Sequence, residues 1–163
     1  MNATSDTTHE RPIDQWFASY SSDHRHPVNR LIHWIAVPLI LWSVIAILWT
    51  IPVVATWFRP GLFAALAMFF AWMFYYRASR RIGLGMLAVF VAMAWLTRGL
   101  FYALGREQLL YVAIGVFVVA WIGQFIGHIY EGHRPSFFTD LVFLLVGPMW
   151  TLRKLYQRLG LSY

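Results

Sequence analysis

The feature that most constrains this chain is a succession of apolar runs, each about as long as a bilayer is thick. Four of them, at residues 31–49, 62–76, 82–104 and 109–130, carry almost no charged side chains. A transmembrane helix needs roughly 20 apolar residues, so these runs predict membrane spans. Hydrophobic residues make up 60% of the 163 residues and charged residues 12%, far from the balance of a soluble domain. The sequence therefore predicts an integral membrane protein.

A fifth apolar stretch, at residues 137–150, is too short for a span and contains Gly147 and Pro148. We expect this pair to break the stretch, as in a re-entrant or interfacial segment. The predicted fold is all-α: an integral membrane helical bundle of four transmembrane helices plus a short interfacial or re-entrant C-terminal helix.

The chain before the first span divides into two parts. Residues 1–12 are polar and predict a disordered tail, and residues 13–163 predict a single membrane-embedded domain. A short amphipathic helix is expected to open this domain and to lie in the membrane interface. Its apolar residues are Ile13, Trp16, Phe17 and Tyr20. Pro27 suits the first turn of the next helix, with His26 or Asp23 near the cap.

The distribution of basic residues predicts the orientation. With four spans, ten of the 13 Lys and Arg residues lie on one side and three on the other. The positive-inside rule then places the N- and C-termini in the cytoplasm, and we expect a bacterial inner membrane. The basic residues form short clusters and no continuous stripe, which argues against nucleic-acid binding. The absence of cysteine excludes disulfides, iron–sulfur clusters and thiolate zinc sites.

Two polar clusters stand at the ends of the first and fourth predicted spans. The first contains His24, His26, Asn29 and His33, and the second contains Gln124, His128 and Glu131. Four spans return the chain to its starting side, so both clusters share one face of the membrane. Helical spacing places Asn29 with His33, and Gln124 with His128 and Glu131, on common helix faces. We expect the two clusters to meet and to hold a metal ion.

Other readings of these residues stay open. An ordinary position at the headgroup level explains His9, His26 and His133, although helix spacing alone favours His26 over His24 as a ligand. Glu131 is read either as a juxtamembrane charge or as a group that completes or orients a metal site. The spacing of Gly123 and Gly127 predicts close helix packing beside His128.

Imidazole and carboxylate ligands without thiolate suit iron(II), zinc or manganese. The histidine boxes of membrane desaturases are absent from the sequence. A b-type haem needs histidines that face each other in a bundle core, whereas these cluster at one membrane edge. The pattern therefore favours a single metal ion.

Two segments resemble the signatures of a known family. They are HRHPVNRLIHWIAVPLI, from residue 24, and WIGQFIGHIYEGHRPSFFTDLVFLLVGPMW, from residue 121. They are similar to the patterns H-x-N-P-x-N-x-x-x-H and QF-x-GH-x-x-E-x-x-x-P of a family of small multi-pass membrane proteins. That family was long known only as a domain of unknown function. Its characterised fungal member is an iron(II)-dependent 2-hydroxy fatty acid dioxygenase of phytosphingosine breakdown.

The resemblance implies a metal site and a reaction. It implies His24, His33 and His128 as ligands, with Glu131 and Asn29 as catalytic residues. His26 and His133 depart from the family pattern and are left out. The implied cofactor is Fe(II), with Zn or Mn as alternatives.

The implied reaction is α-oxidation, in which a 2-hydroxy fatty acid and O₂ give a fatty acid one carbon shorter. Arg30, Arg134 and Gln124 are the expected substrate-binding residues, with an arginine holding the carboxylate. The expected partners are the fatty acyl substrate, O₂ and membrane lipid, and a homo-oligomer is left open.

Two other functions compete with the dioxygenase. One is a non-catalytic membrane lipid-binding protein whose histidines hold a structural zinc. The other is a small transporter, which is disfavoured because transport sites lie near the membrane midplane and these polar residues lie at an edge.

Overall fold

All the secondary structure that the computed structural model describes is helical. It describes residues 11–53, 59–132 and 142–163. The six helices, in chain order, are α1 (Pro12–Ser22), α2 (Pro27–Trp49), α3 (Leu62–Ala78), α4 (Arg80–Leu104), α5 (Arg106–Glu131) and α6 (Val142–Arg158). The predicted all-α class is confirmed for these residues. The predicted tail falls outside them except for Arg11 and Pro12, and Pro12 already belongs to α1.

Four apolar helices occupy the four predicted runs. Three of them, α2, α4 and α5, have 23, 25 and 26 residues and are long and apolar enough to cross a membrane, by length and composition. The fourth, α3, is equally apolar but has only 17 residues. Membrane-spanning length is thus present in three helices, and a fourth crossing stays a prediction.

The long helix α2 begins where the sequence predicts. Pro27 occupies its first turn, where a backbone N–H would have no partner within the helix, so the missing N–H of proline costs no hydrogen bond. His26 is the N-cap, and its Nδ1 accepts a hydrogen bond from the backbone N–H of Val28 at 3.2 Å. Pro38 lies inside the helix, which continues past it to Trp49.

Helix α3 turns directly into α4. Only Ser79 separates them, with extended backbone, and its hydroxyl caps α4 by accepting from the N–H of Ile82. Gly83 lies so close to the backbone of Tyr76 that a side chain there would collide with it. The two helices therefore form a tight hairpin.

Helices α2 and α5 are antiparallel partners. His33, near the start of α2, lies against His128 near the end of α5. Trp42 and Ala46, further along α2, pack with Leu109 and Ala113 near the start of α5. This pairing brings the two polar clusters of the sequence to one end of the bundle.

The apolar face of α1 packs against protein. Ile13 and Phe17 are buried in one core with Val146, Met149 and Trp150 of α6. Helix α6 therefore covers much of that face, and the position of α1 in the membrane interface stays a prediction.

Helix α6 is longer and more regular than predicted. It continues through Gly147 and Pro148 to Arg158, so the expected break at this pair does not occur. The hydroxyl of Tyr20 lies close to Gly147, 3.1 Å from where a Cβ would be. Gly147 therefore gives α1 room to lie against α6. Residues 137–141 of the predicted segment lie outside the described residues.

Gly127 provides a test of the α2–α5 packing. A Cβ at this position would overlap Oδ1 of Asn29 and stand 3.5 Å from its Cα, whereas a Cβ at Gly123 would meet only Ile32, at 3.7 Å. We expect Gly127→Ala to destabilise the protein by about 1–3 kcal/mol through overpacking. Gly123→Ala, the matched control, should be neutral or stabilising, because alanine is the better helix former by ~1 kcal/mol. Apparent Tm values in detergent measure both, and equal values for the two variants would contradict the packing.

Candidate metal centre and its cavity

Three histidines from three different parts of the chain meet in the interior. His24 follows α1, His33 lies in α2 and His128 lies in α5. Their ring centroids are 4.2 Å apart for His24 and His33, 5.2 Å for His24 and His128, and 5.1 Å for His33 and His128. All three side chains are buried, and one ring nitrogen of each lies within 4.8 Å of the others. The structure thus brings together the three residues that the sequence implied as ligands.

Backbone carbonyls orient two of the rings. The Nδ1 of His24 lies 2.6 Å from the carbonyl oxygen of Tyr20, and the Nδ1 of His33 lies 2.9 Å from that of Asn29. A neutral imidazole that donates from Nδ1 has its lone pair on Nε2, the atom that can bind a metal. The Nε2 of His24 is buried and has no hydrogen-bond partner among the described residues.

Burial lowers the pKa of His24. A histidine with a lowered pKa is uncharged at neutral pH, because the environment disfavours the cation. The ring therefore offers a lone pair without first losing a proton.

His26 lies outside this group. Its Nδ1 caps α2, and its ring stacks on Tyr130 with a centroid distance of 5.5 Å. Helix spacing favoured it because residues 26 and 33 are two turns apart. However, the helix begins only at Pro27, so His26 does not share that spacing, and the preceding turn points His24 inward instead.

Glu131 holds the turn that carries His24. Its carboxylate accepts hydrogen bonds from the backbone N–H of Arg25 at 2.8 Å, from that of His26 at 2.9 Å, and from Nδ2 of Asn29 at 2.9 Å. It is not part of the group of converging nitrogens. The structure therefore places Glu131 and Asn29, both predicted as catalytic, in a clamp beside the histidines.

Two aromatic residues that the sequence does not mark as part of the site lie against His24. The Tyr20 ring stacks on the imidazole at 4.2 Å and 13°, and Trp150 of α6 lies 5.9 Å away. The Trp150 Nε1–H donates to Ser21 Oγ at 2.9 Å, which fixes α6 to α1. The only signal for Tyr20 was its spacing of four residues from His24, and nothing local marked Trp150 among nine tryptophans.

An apolar cavity of about 380 Å³ opens from the histidines. Its lining residues are Tyr20, His24, His33, Val37, Ile40, Leu41, Val44, Phe117, Trp121, Gln124, His128, Leu144, Leu145, Gly147 and Pro148. From His33 to Val44 on α2, and from His128 to Phe117 on α5, the lining extends for three helical turns, roughly 16 Å at 1.5 Å per residue. The space is thus a slot with imidazoles at one end and hydrocarbon walls beyond them.

The predicted substrate-binding residues fall in different places. Gln124 lines the cavity, and its side chain interacts with His33. Arg30 lines a second cavity, of about 450 Å³, between the start of α2 and the end of α6. Arg134, like His9 and His133, lies outside the described residues. The structure therefore brings one of the three, Gln124, to the histidines.

Comparisons with known proteins agree with the two sequence signatures. The chain is 30% identical over 145 residues to the 2-hydroxy-palmitic acid dioxygenase MPO1 of Saccharomyces cerevisiae, an alignment that covers 86% of this chain and 78% of that protein. No solved structure matches the chain. Residues 11–159 match a family described as 2-hydroxy-palmitic acid dioxygenase Mpo1-like. The match spans most of the sequence, and the chain therefore belongs to the Mpo1-like family.

Proposed function

We propose that this protein is a metal-dependent membrane dioxygenase that shortens 2-hydroxy fatty acids by one carbon. O₂ is the oxidant, the bond between C1 and C2 breaks, and the products are the shorter fatty acid, CO₂ and water. The observation that carries the proposal is the position of three buried, converging imidazoles at the end of an apolar slot. The yeast relative, named as a 2-hydroxy-palmitic acid dioxygenase, supports the same substrate class.

The donor set fits a metal ion that keeps open positions. His24, His33 and His128 would hold it, because their nitrogens converge and the Nε2 of His24 is buried without a described partner. Structural zinc sites close with four protein ligands, whereas catalytic sites use three and leave room for substrate. Iron(II) is the proposed ion, with zinc or manganese as alternatives that suit the same nitrogen ligands. When bound, iron(II) would supply the redox chemistry that dioxygen requires.

The cavity residues fit the substrate. The walls formed by Val37, Leu41 and Val44 would bind the acyl chain and exclude water. The Gln124 amide, beside His33, would donate a hydrogen bond to the polar head of the 2-hydroxy acid. In this arrangement C1 and C2 of the substrate would lie at the imidazoles and its tail would extend along the slot.

The same geometry supports four membrane crossings. The start of α2 and the end of α5 lie together, so an even number of crossings separates them. Helices α2, α4 and α5 are long and apolar enough for three crossings, so α3 would supply the fourth. Its 17 residues extend roughly 25 Å, at the lower end of spanning length. We propose that this end of the bundle, with both termini, faces the cytoplasm of a bacterium, as the basic residues predict.

The proposal is tested with purified protein loaded anaerobically with iron(II) and then given O₂ and 2-hydroxypalmitate. We expect O₂ uptake and a product one carbon shorter, both dependent on the metal. Full occupancy by zinc with no turnover under any metal would instead support a lipid-binding protein with a structural site.

Replacing any one histidine of the group should abolish tight metal binding. We expect His24→Ala, His33→Ala and His128→Ala each to lose most of the bound metal in elemental analysis, because two imidazoles remain. His26→Ala is the matched control: it removes a neighbouring imidazole that caps α2 and should keep the metal, at a stability cost of about 1 kcal/mol. A variant of the three that kept full metal content would remove that residue from the ligand set.

Glu131→Gln should weaken the site without removing it. The glutamine side chain has an NH₂ group in place of one carboxylate oxygen, and this group would face hydrogen-bond donors of the turn. The turn that carries His24 would therefore be held less firmly. Substitutions that disturb ligand orientation typically cost 10–100-fold in metal affinity. We expect a weaker metal affinity of this size in titrations, with full occupancy and substantial activity at saturating metal. Complete loss of activity at full occupancy would indicate direct participation of the carboxylate in the reaction.

The far end of the slot should set the preferred chain length. Val44→Trp would fill the end of the cavity opposite the histidines. We expect the ratio of kcat/KM for 2-hydroxypalmitate to that for a ten-carbon 2-hydroxy acid to fall about tenfold, because overpacking costs ~1–3 kcal/mol. Leu39→Trp, on an exposed position of the same helix that does not line the slot, is the control. An unchanged ratio for Val44→Trp would mean that the acyl chain lies elsewhere.

A further inference from the structure

A second cavity lies beside the histidine site, and the proposed reaction does not use it. It has a volume of about 450 Å³ and lies between the first turns of α2 and the last turns of α6. Its polar wall contains Arg30, Lys154, Gln157 and Arg158, and Trp34 and Trp150 form its aromatic wall. We call it the basic pocket.

The cations of the basic pocket have no carboxylate partner in the described part of the chain. The one ion pair found among the described residues joins Arg11 to Asp14. Instead, Arg158 lies over the Trp34 ring at 4.1 Å and Lys154 over the Trp150 ring at 5.5 Å. Cation–π contacts hold a charged group in place but leave its charge uncompensated. Three cations are thus arranged around one concave space with their charge available to a ligand.

The electrostatics of Lys154 point the same way. Its pKa is lowered, first by burial and then by the positive charges of Arg153 and Arg30. A lowered pKa in a lysine means that its charged form is disfavoured, here by burial first and then by repulsion from the neighbouring cations. An anion bound among these groups would relieve that repulsion. Guanidinium and ammonium groups together are the usual partners of a phosphate.

The position of the pocket identifies the source of the anion. Leu31, which also lines it, is 64% exposed, and Ile35 one turn further along α2 is 58% exposed. Exposed aliphatic side chains on an apolar helix of spanning length face lipid chains. The pocket therefore joins a cationic site to a hydrocarbon-facing surface at the end of the bundle. A free phosphate would contact only the cationic site, whereas a phospholipid would contact both the cationic site and the hydrocarbon-facing surface.

We propose that the basic pocket binds the phosphate headgroup of an anionic phospholipid, with the lipid's acyl chains lying along Leu31 and Ile35. Basic pockets between helices at the cytoplasmic end of membrane proteins commonly bind such headgroups. The proposal does not depend on the dioxygenase reaction. The two sites share one residue, Trp150, which lines the basic pocket and also lies against His24.

Native mass spectrometry of detergent-purified protein tests the proposal, with phosphatidylglycerol as the anionic probe and phosphatidylcholine as the zwitterionic comparison. We expect one phosphatidylglycerol to bind at least about tenfold more tightly than phosphatidylcholine. Lys154→Gln/Arg158→Gln should weaken its binding about tenfold or more, because it removes two of the three cations that attract the anionic headgroup. Arg30→Gln should weaken it in the same direction.

Arg77→Gln/Arg80→Gln is the matched control. It removes the same charge from the exposed junction of α3 and α4, outside the pocket, and should bind the lipid as the unaltered protein does. The apparent Tm of each variant without lipid shows that it is folded. An added lipid should raise the Tm of the unaltered protein and the control, but not that of the pocket variant.

Three outcomes would overturn the proposal. Equal losses in the pocket variant and the control would indicate a general charge effect. Equal affinity for the two lipids would show that the pocket does not recognise an anionic headgroup. Displacement of the lipid by millimolar inorganic phosphate would assign the pocket to a free anion.

Discussion

The arrangement of this protein depends on one carboxylate. Glu131, the last residue of α5, accepts hydrogen bonds from two successive backbone N–H groups before α2 and from the Asn29 side chain within it. These donors would otherwise be unpaired at the start of a helix, and a negative charge is favoured there. The contact joins the end of α5 to the start of α2 over more than 100 residues of sequence. It also sets the path of the turn that directs His24 into the interior.

Close packing and burial also contribute to the position of the three histidines. Gly127 lets the α5 backbone approach Asn29, so that His33 and His128 face each other across the helix pair. Helices α1 and α6 then close the site through Tyr20 and Trp150, whose rings lie against His24. Removal from water keeps the imidazole of His24 uncharged. The same enclosure shapes the apolar slot, so one packing arrangement accounts for both the converging imidazole nitrogens and the hydrocarbon walls.

The two neighbouring cavities have linings of different chemistry. The histidine cavity contains three imidazoles, one amide and apolar walls, which suit a metal ion and an acyl chain. The basic pocket contains three cations and aromatic faces, which suit a phosphate. Trp150 lies between them and is fixed to α1 through Ser21. A lipid in the basic pocket would thus contact the same indole that packs against His24, next to the group of three histidines.

The sequence by itself determined the helical class, the positions of the first five helices to within a few residues and the two polar clusters. These follow from local periodicity, apolar length and turn residues such as Pro27. With the family resemblance, it also singled out His24, His33 and His128. Only the tertiary structure decided the role of Glu131, the placing of Arg30 in a separate pocket, the burial of α1 against α6 and the continuation of α6 through Pro148. These features depend on which groups from distant segments meet. The sequence pattern around a carboxylate is the same whether the carboxylate faces a cation, a metal or a backbone turn. The pattern of an amphipathic helix is likewise the same whether lipid or another helix covers its apolar face.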